Sequence, residues 1–122
     1  VDDEVHLRGA LTVSLRAKGF DVVGADDAAS GLIAFQESRF DLAVVDVYMP
    51  GVDGVRLIKA LRERSPRLPI VAISGVRLSE SQRTALDFLP RLPGLSEIVC
   101  LQKPFRLPEL VNAIQAALIG AA

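Results

Sequence analysis

Asp2 and Asp3 side by side, Asp46, Ser74 and Lys103 are the side chains of this sequence whose types and placement suggest a common chemistry. Asp46 closes the apolar run Leu42-Ala43-Val44-Val45, and Ser74 closes Ile70-Val71-Ala72-Ile73. Lys103 follows Ile98-Val99-Cys100-Leu101. If the runs are parallel strands, these residues meet at one edge of a sheet, outside the strands' carboxyl ends, where open α/β sheets bind ligands. Three crowded carboxylates repel one another, and a divalent cation removes that penalty. Oxygen-only donors select a hard ion such as Mg²⁺ over zinc. A carboxylate can attack phosphorus to give an acyl phosphate. An ammonium neutralises the oxygens of the transferring group, and a hydroxyl orients one of them.

The elements that must position these groups are legible from two periodicities. Leu7, Leu11 and Leu15 recur every four residues and predict a helix stopped near Gly19. Residues 21–25 form a short strand candidate, and residues 28–38 a helix with Leu32, Ile33 and Phe35 on its apolar side. The apolar runs at 42–45, 70–73 and 98–101 lack alternation, which predicts strands covered on both faces and hence a parallel sheet. Residues 55–64 predict a helix around Leu57, Ile58 and Leu61, with Asp53 as a turn or cap residue before it. Residues 79–89 predict a surface helix with Ala85, Leu86 and Leu89 inward, broken by Pro90, Pro93 and Gly94. A last helix begins around Pro108, a suitable first-turn residue, with Leu110, Val111, Ile114, Ala117 and Leu118 on its face. Strands alternating with helices make a doubly wound α/β sheet. A strand is wanting at the front, and Asp2-Asp3 would sit at its carboxyl end. The abrupt start, Val1-Asp2-Asp3-Glu4, predicts that residues precede it in the intact protein.

Composition narrows the class. The 122 residues suit a single domain spanning 1–122, with 50% hydrophobic and 24% charged residues. A net charge of −1 gives no basic surplus for nucleic acid or a membrane surface. No apolar run is long enough to span a bilayer. Cys100 is the only cysteine, so an internal disulfide is excluded and a reducing, cytoplasmic setting is expected. Cys100 itself reads as a small buried hydrophobe, and His6 as a surface residue.

The stretch Asp46-Val47-Tyr48-Met49-Pro50-Gly51-Val52-Asp53-Gly54 resembles the phosphorylation-site signature of response-regulator receiver domains, the CheY-like family of two-component signalling. Asp2-Asp3, Ser74-Gly75 and Lys103-Pro104-Phe105 match the family's other marks in order. The resemblance implies a flavodoxin-like fold with a five-stranded parallel sheet in 2-1-3-4-5 order and five helices, the first strand being truncated or missing. It implies that Asp46 is the phosphoacceptor. Mg²⁺ would be held by Asp3, Asp46 and the backbone carbonyl of Tyr48, with Asp2 acting through water. Ser74, Gly75 and Lys103 would bind the phosphoryl group and switch with it, and Lys103-Pro104 would be a cis peptide. The donor would be a histidine kinase or phosphotransfer protein, and the reader an output domain or downstream protein. Such a domain is not an enzyme beyond catalysing its own phosphorylation and dephosphorylation.

The sequence departs from the family pattern in two further ways. Cys100 stands where the family has the switch aromatic, and the segment from Ser74 to Lys103 is longer than usual by roughly two helical turns' worth of residues. Both predict an altered output surface. Tyr48 and Val76, two residues after the acceptor and the switch serine, predict hindered hydrolysis and a long-lived phosphoform. The alternative is a degenerate pseudo-receiver that works as an interaction module without phosphate. An aspartate-nucleophile phosphatase is a poorer match, because Tyr48 stands where that class has a second Asp.

Overall fold

The computed structural model describes residues 1–47, 54–74 and 98–121. The described elements are α1 (Val5–Ala17), α2 (Ala28–Glu37), β1 (Ala43–Asp46), α3 (Gly54–Arg64), β2 (Ile70–Ser74), β3 (Val99–Gln102) and α4 (Leu107–Ala121). The proposed helix at 79–89, the long segment around Pro90 to Leu95, and Tyr48, Asp53, Gly75 and Val76 lie outside the described residues.

Among the described residues the sheet has three parallel strands in the order β1-β2-β3. Asp46 pairs with Ile73, and Ser74 pairs with Gln102, so the strands end in step. Successive side chains along each strand enter opposite layers. Val45, Ile70 and Ala72 pack with Ala28 of α2 and with Leu57, Ile58 and Leu61 of α3. Val44, Val71, Val99 and Leu101 pack with Leu15 of α1 and with Leu110, Ala113, Ile114 and Ala117 of α4. Val45, Ile70 and Val71 are wholly buried, which is why their strands carry no polar alternation. The chain is therefore an α/β fold with helices on both faces of a parallel sheet.

Local chemistry fixes the helix ends. α1 closes on Gly19 at φ +92°, a left-handed conformation that costs glycine little. The Gly19 N–H donates to Arg16 O at 3.0 Å and the Phe20 N–H to Leu15 O at 3.1 Å, the paired bonds of a Schellman stop. Asp27 caps α2 by accepting from the Ser30 N–H at 2.7 Å. Glu109 in the first turn of α4 accepts from the Arg106 N–H at 3.2 Å, one half of a capping box.

The structure corrects three expectations. Residues 21–25 are not a strand. The Asp2 N–H donates to Ala25 O at 3.0 Å, and the Asp46 N–H donates to Val1 O at 2.9 Å. Val1 and Asp2 thus bridge 21–25 to β1 without making a ladder. On α2, Ile33 is 55% exposed. Ala28, Gly31, Leu32 and Phe35 face inward instead, at the i, i+3, i+4, i+7 spacing of one helical side. Cys100 is exposed, because Val99 and Leu101 take the inward positions of β3 and the residue between them points away. His6 is exposed as expected.

Candidate functional site

β1 and β3 deliver two residues to the same edge of the sheet. Asp46 is the last residue of β1 and only 3% exposed, and Lys103 follows β3. The Lys103 Nζ donates to Asp46 Oδ2 at 3.1 Å. It also lies 3.5 Å from Asp2 Oδ2 and 3.7 Å from Glu4 Oε2. Partial burial by itself would lower the Lys103 pKa. The charge of Asp46, the hydrogen bond to it and the charges of Asp2 and Glu4 outweigh burial and hold that pKa above the ordinary lysine value. The Lys103-Pro104 peptide is cis.

The acid pair is fixed by the short segment ahead of α1. Asp2 is 5% exposed, and its Oδ1 accepts from the Glu4 N–H at 2.9 Å. The Arg8 guanidinium, one turn into α1, donates to the Asp2 carbonyl at 2.9 Å. Asp3 is exposed at the rim. One carboxylate oxygen each from Asp2, Asp3 and Asp46 lies within 4.8 Å of the others. Asp2 Oδ2 is buried and accepts no hydrogen bond, although a buried carboxylate oxygen normally has a partner. An unsatisfied hard oxygen among converging carboxylates suits a divalent cation of the Mg²⁺ type. Asp2, Asp3 and Asp46 are the described residues that would hold it.

Ser74 ends β2 between the other two strand ends, with its backbone in register with Gln102. Tyr48 and Gly75 lie outside the described residues. Two further residues belong to the site, with roles that the sequence motif did not assign. Gly54 opens α3 and donates its N–H to Val47 O at 3.3 Å. A Cβ there would collide with the Asp46 carbonyl oxygen and come within 2.7 Å of the Val47 Cα. Only glycine lets α3 start this close behind the Asp46 backbone. The other is Glu4, whose acidic character is plain in sequence but whose reach to Lys103 is not.

The arrangement provides a buried carboxylate oxygen beside an ammonium, with two more carboxylates close enough to share a cation. That combination favours attack on an electrophilic phosphorus with the developing charge offset on both sides.

Comparison with known proteins accords with this geometry. The sequence model of the response regulator receiver domain matches residues 1–115. The response regulator receiver protein CpdR of Brucella abortus is 32% identical over 120 residues, covering 98% of this chain and 94% of that protein. The transcriptional regulatory protein PrrA of Mycobacterium tuberculosis is 36% identical over 120 residues, covering 97% of this chain but 48% of PrrA. The chain likewise spans only 33% of the transcriptional activator protein PfeR of Pseudomonas aeruginosa, and about half the length of several other curated relatives. Among solved structures, the receiver domain of NtrX from Brucella abortus superposes with a TM-score of 0.80 at 28% identity, covering 97% of this chain and 94% of that one.

Proposed function

The chain belongs to the response regulator receiver domain family of two-component signalling, and on that premise we propose that Asp46 accepts a phosphoryl group from the phosphohistidine of a partner kinase or phosphotransfer protein. The observation that carries the proposal is the 3.1 Å pairing of Lys103 Nζ with Asp46 Oδ2 at the mouth of an acidic cluster.

In the proposed reaction an Asp46 carboxylate oxygen forms a bond to phosphorus as the P–N bond of phosphohistidine breaks, and the imidazole leaves and takes up a proton. Asp46 is held for this by its place at the end of β1, with its N–H engaged by Val1 O. Lys103 moves its hydrogen bond from the carboxylate to the phosphoryl oxygens. Asp2, Asp3 and Asp46 would hold Mg²⁺, and that ion, when bound, would supply charge neutralisation at the phosphoryl oxygens. Ser74 and Gly75 act as the hydroxyl donor and the clearance beside it. Phosphorylation adds about −1.5 to −2 charge at Asp46, which biases a surface read by an output domain or a downstream protein. Cys100 offers no aromatic ring to that switch, so the read-out differs from one based on a ring moving inward. No helix among the described residues is long and apolar enough to cross a membrane. A cytoplasmic setting beside the kinase partner is proposed from the family alone.

The test is incubation with acetyl phosphate and Mg²⁺, followed by intact-mass measurement or a phosphate-affinity gel. A single added phosphoryl group that is absent in Asp46→Asn supports the proposal. An unmodified wild-type chain under conditions that label another receiver refutes it and favours the pseudo-receiver.

A further inference from the structure

We propose that Glu4 positions Lys103 in the resting site and thereby acts as an electrostatic brake on the loading of Asp46. The inference rests on the phosphoacceptor reading above.

Glu4 directly follows the acid pair and is the N-cap residue of α1, with extended backbone at φ −81° and ψ 104°. A side chain at such a position commonly accepts a hydrogen bond from the free N–H groups of the first turn. The Glu4 side chain makes no such bond. Its Oε2 instead lies 3.7 Å from Lys103 Nζ. Its N–H is tied to Asp2 Oδ1 at 2.9 Å, which fixes where the side chain departs from the acid pair. Lys103 is thus shared by three carboxylates. Two of them, Asp46 and Asp2, have side chains 4% and 7% exposed, while that of Glu4 is 62% exposed. Glu4 is therefore the most exposed of the three carboxylates around the ammonium, on its solvent side.

Two consequences follow. The donor is anionic and meets a like charge at the mouth of the site. The phosphoryl oxygens must also draw Lys103 away from Glu4 before the ammonium can serve them. Both effects slow loading, and both vanish when the carboxylate is made neutral. Glu4 touches none of the reacting atoms, so its role is exerted through Lys103 and through the local field. Because Glu4 is mostly in solvent, the effect is modest and sensitive to salt.

The test compares wild type, Glu4→Gln and Glu4→Asp as full chains with Mg²⁺. Loading rates are measured from acetyl phosphate, a dianion, and phosphoramidate, a less charged donor, at low ionic strength and at ~0.5 M salt. For Glu4→Gln the expected result is loading about two- to fivefold faster from acetyl phosphate at low salt, the factor that a unit charge several ångströms from a dianion produces in nearly aqueous surroundings. The gain is smaller with phosphoramidate and shrinks toward unity at high salt. Glu4→Asp keeps the charge and stays close to wild type. Glu4→Gln rates equal to wild type at low salt overturn the inference while leaving the phosphoacceptor reading intact. A gain of equal size at both salt concentrations and for both donors also overturns it, because that pattern belongs to a purely structural change. A wild-type chain that loads from neither donor removes the reading and the brake with it.

Discussion

Replacing Lys103 with methionine removes the only ammonium within 4 Å of the site's carboxylates among the described residues, and the cost can be worked from the geometry. The Lys103–Asp46 separation is 3.1 Å. Coulomb's law at that distance gives about 1.3 kcal/mol in bulk water and about 5 kcal/mol at an effective dielectric of 20. Asp46 is almost fully buried, but the Lys103 side chain is 21% exposed, so the net value falls between these limits, at about 2 kcal/mol. The assay is urea unfolding followed by far-UV circular dichroism without divalent ions, since the chain has no tryptophan. With a slope of about 1.5 kcal/mol per molar urea, Lys103→Met lowers the midpoint by roughly 1 M. Asp46→Asn in the wild-type background is nearly neutral, because it loses the pair but relieves repulsion with Asp2. In the Lys103→Met background the same change restores about 2 kcal/mol, so the double-mutant cycle reads a coupling of that size. Millimolar Mg²⁺ raises the midpoint of Lys103→Met more than that of wild type. A coupling below about 0.5 kcal/mol at low salt would refute the claim that Lys103 offsets the buried carboxylates.

Other perturbations separate the site from the scaffold. Gly54→Ala gains about 1 kcal/mol of helix propensity but forces a Cβ against the Asp46 and Val47 backbone. We expect a net loss of about 1–3 kcal/mol by urea titration, with slowed loading of Asp46. Leu110→Ala empties a wholly buried position between α4 and the sheet and costs about 2–5 kcal/mol without abolishing phosphate uptake in the folded fraction. For Asp27, hydrogen bonding from the Ser30 backbone holds the pKa below the usual carboxylate value. Its folded pKa is therefore below its unfolded one, and its contribution is present above the unfolded pKa and lost as pH falls through the folded one. Thermal melts should show Asp27→Ala below wild type at neutral pH, and the gap closing below about pH 4. Lys103 has the opposite sign. Its raised pKa gives stability that is complete below about pH 10 and lost as pH rises through the folded value, so Lys103→Met should melt below wild type at neutral pH and the gap should close at alkaline pH.

What the sequence showed plainly was whatever is written in a continuous run. The runs 42–45, 70–73 and 98–101 are apolar at every position, and Val45, Ile70, Val71, Ala72 and Ile73 are buried, so the strands announce themselves. Once these are parallel, Asp46, Ser74 and Lys103 must share an edge, and the site's main parts follow. The misread residues are those whose placement depends on a neighbour distant in sequence. The 21–25 segment has strand-like residues, but a strand exists only through its partner, and the described backbone bond to it from Asp2 is not a ladder. Ile33 looked inward by hydrophobicity alone, whereas Ala28 and Gly31 hold the inner face by spacing and small size. Cys100 lies in an apolar run, yet the pleat turns it outward between two inward neighbours. Glu4 reaches Lys103 only because the sheet brings the two ends of the chain together.

The charge balance at the site links its stability to its proposed use. Asp2, Asp3 and Asp46 converge, and the ammonium of Lys103 lies within 4 Å of Asp2, Glu4 and Asp46. In the resting state that ammonium is divided among Asp46, Asp2 and Glu4, and its pKa is raised by all three. Adding a phosphoryl group at Asp46 increases the negative charge again. The same lysine must then leave partners that stabilise the resting fold in order to meet the new oxygens. Contacts that hold Lys103 in place before loading are therefore contacts that loading has to break. The acids that stabilise the resting lysine and the acids that would gather a cation overlap, so the energy of each state is set by how that overlap is resolved. On this reasoning Glu4, which has no place among the cation's described ligands, is the residue where the resting state can be weakened without weakening the loaded one.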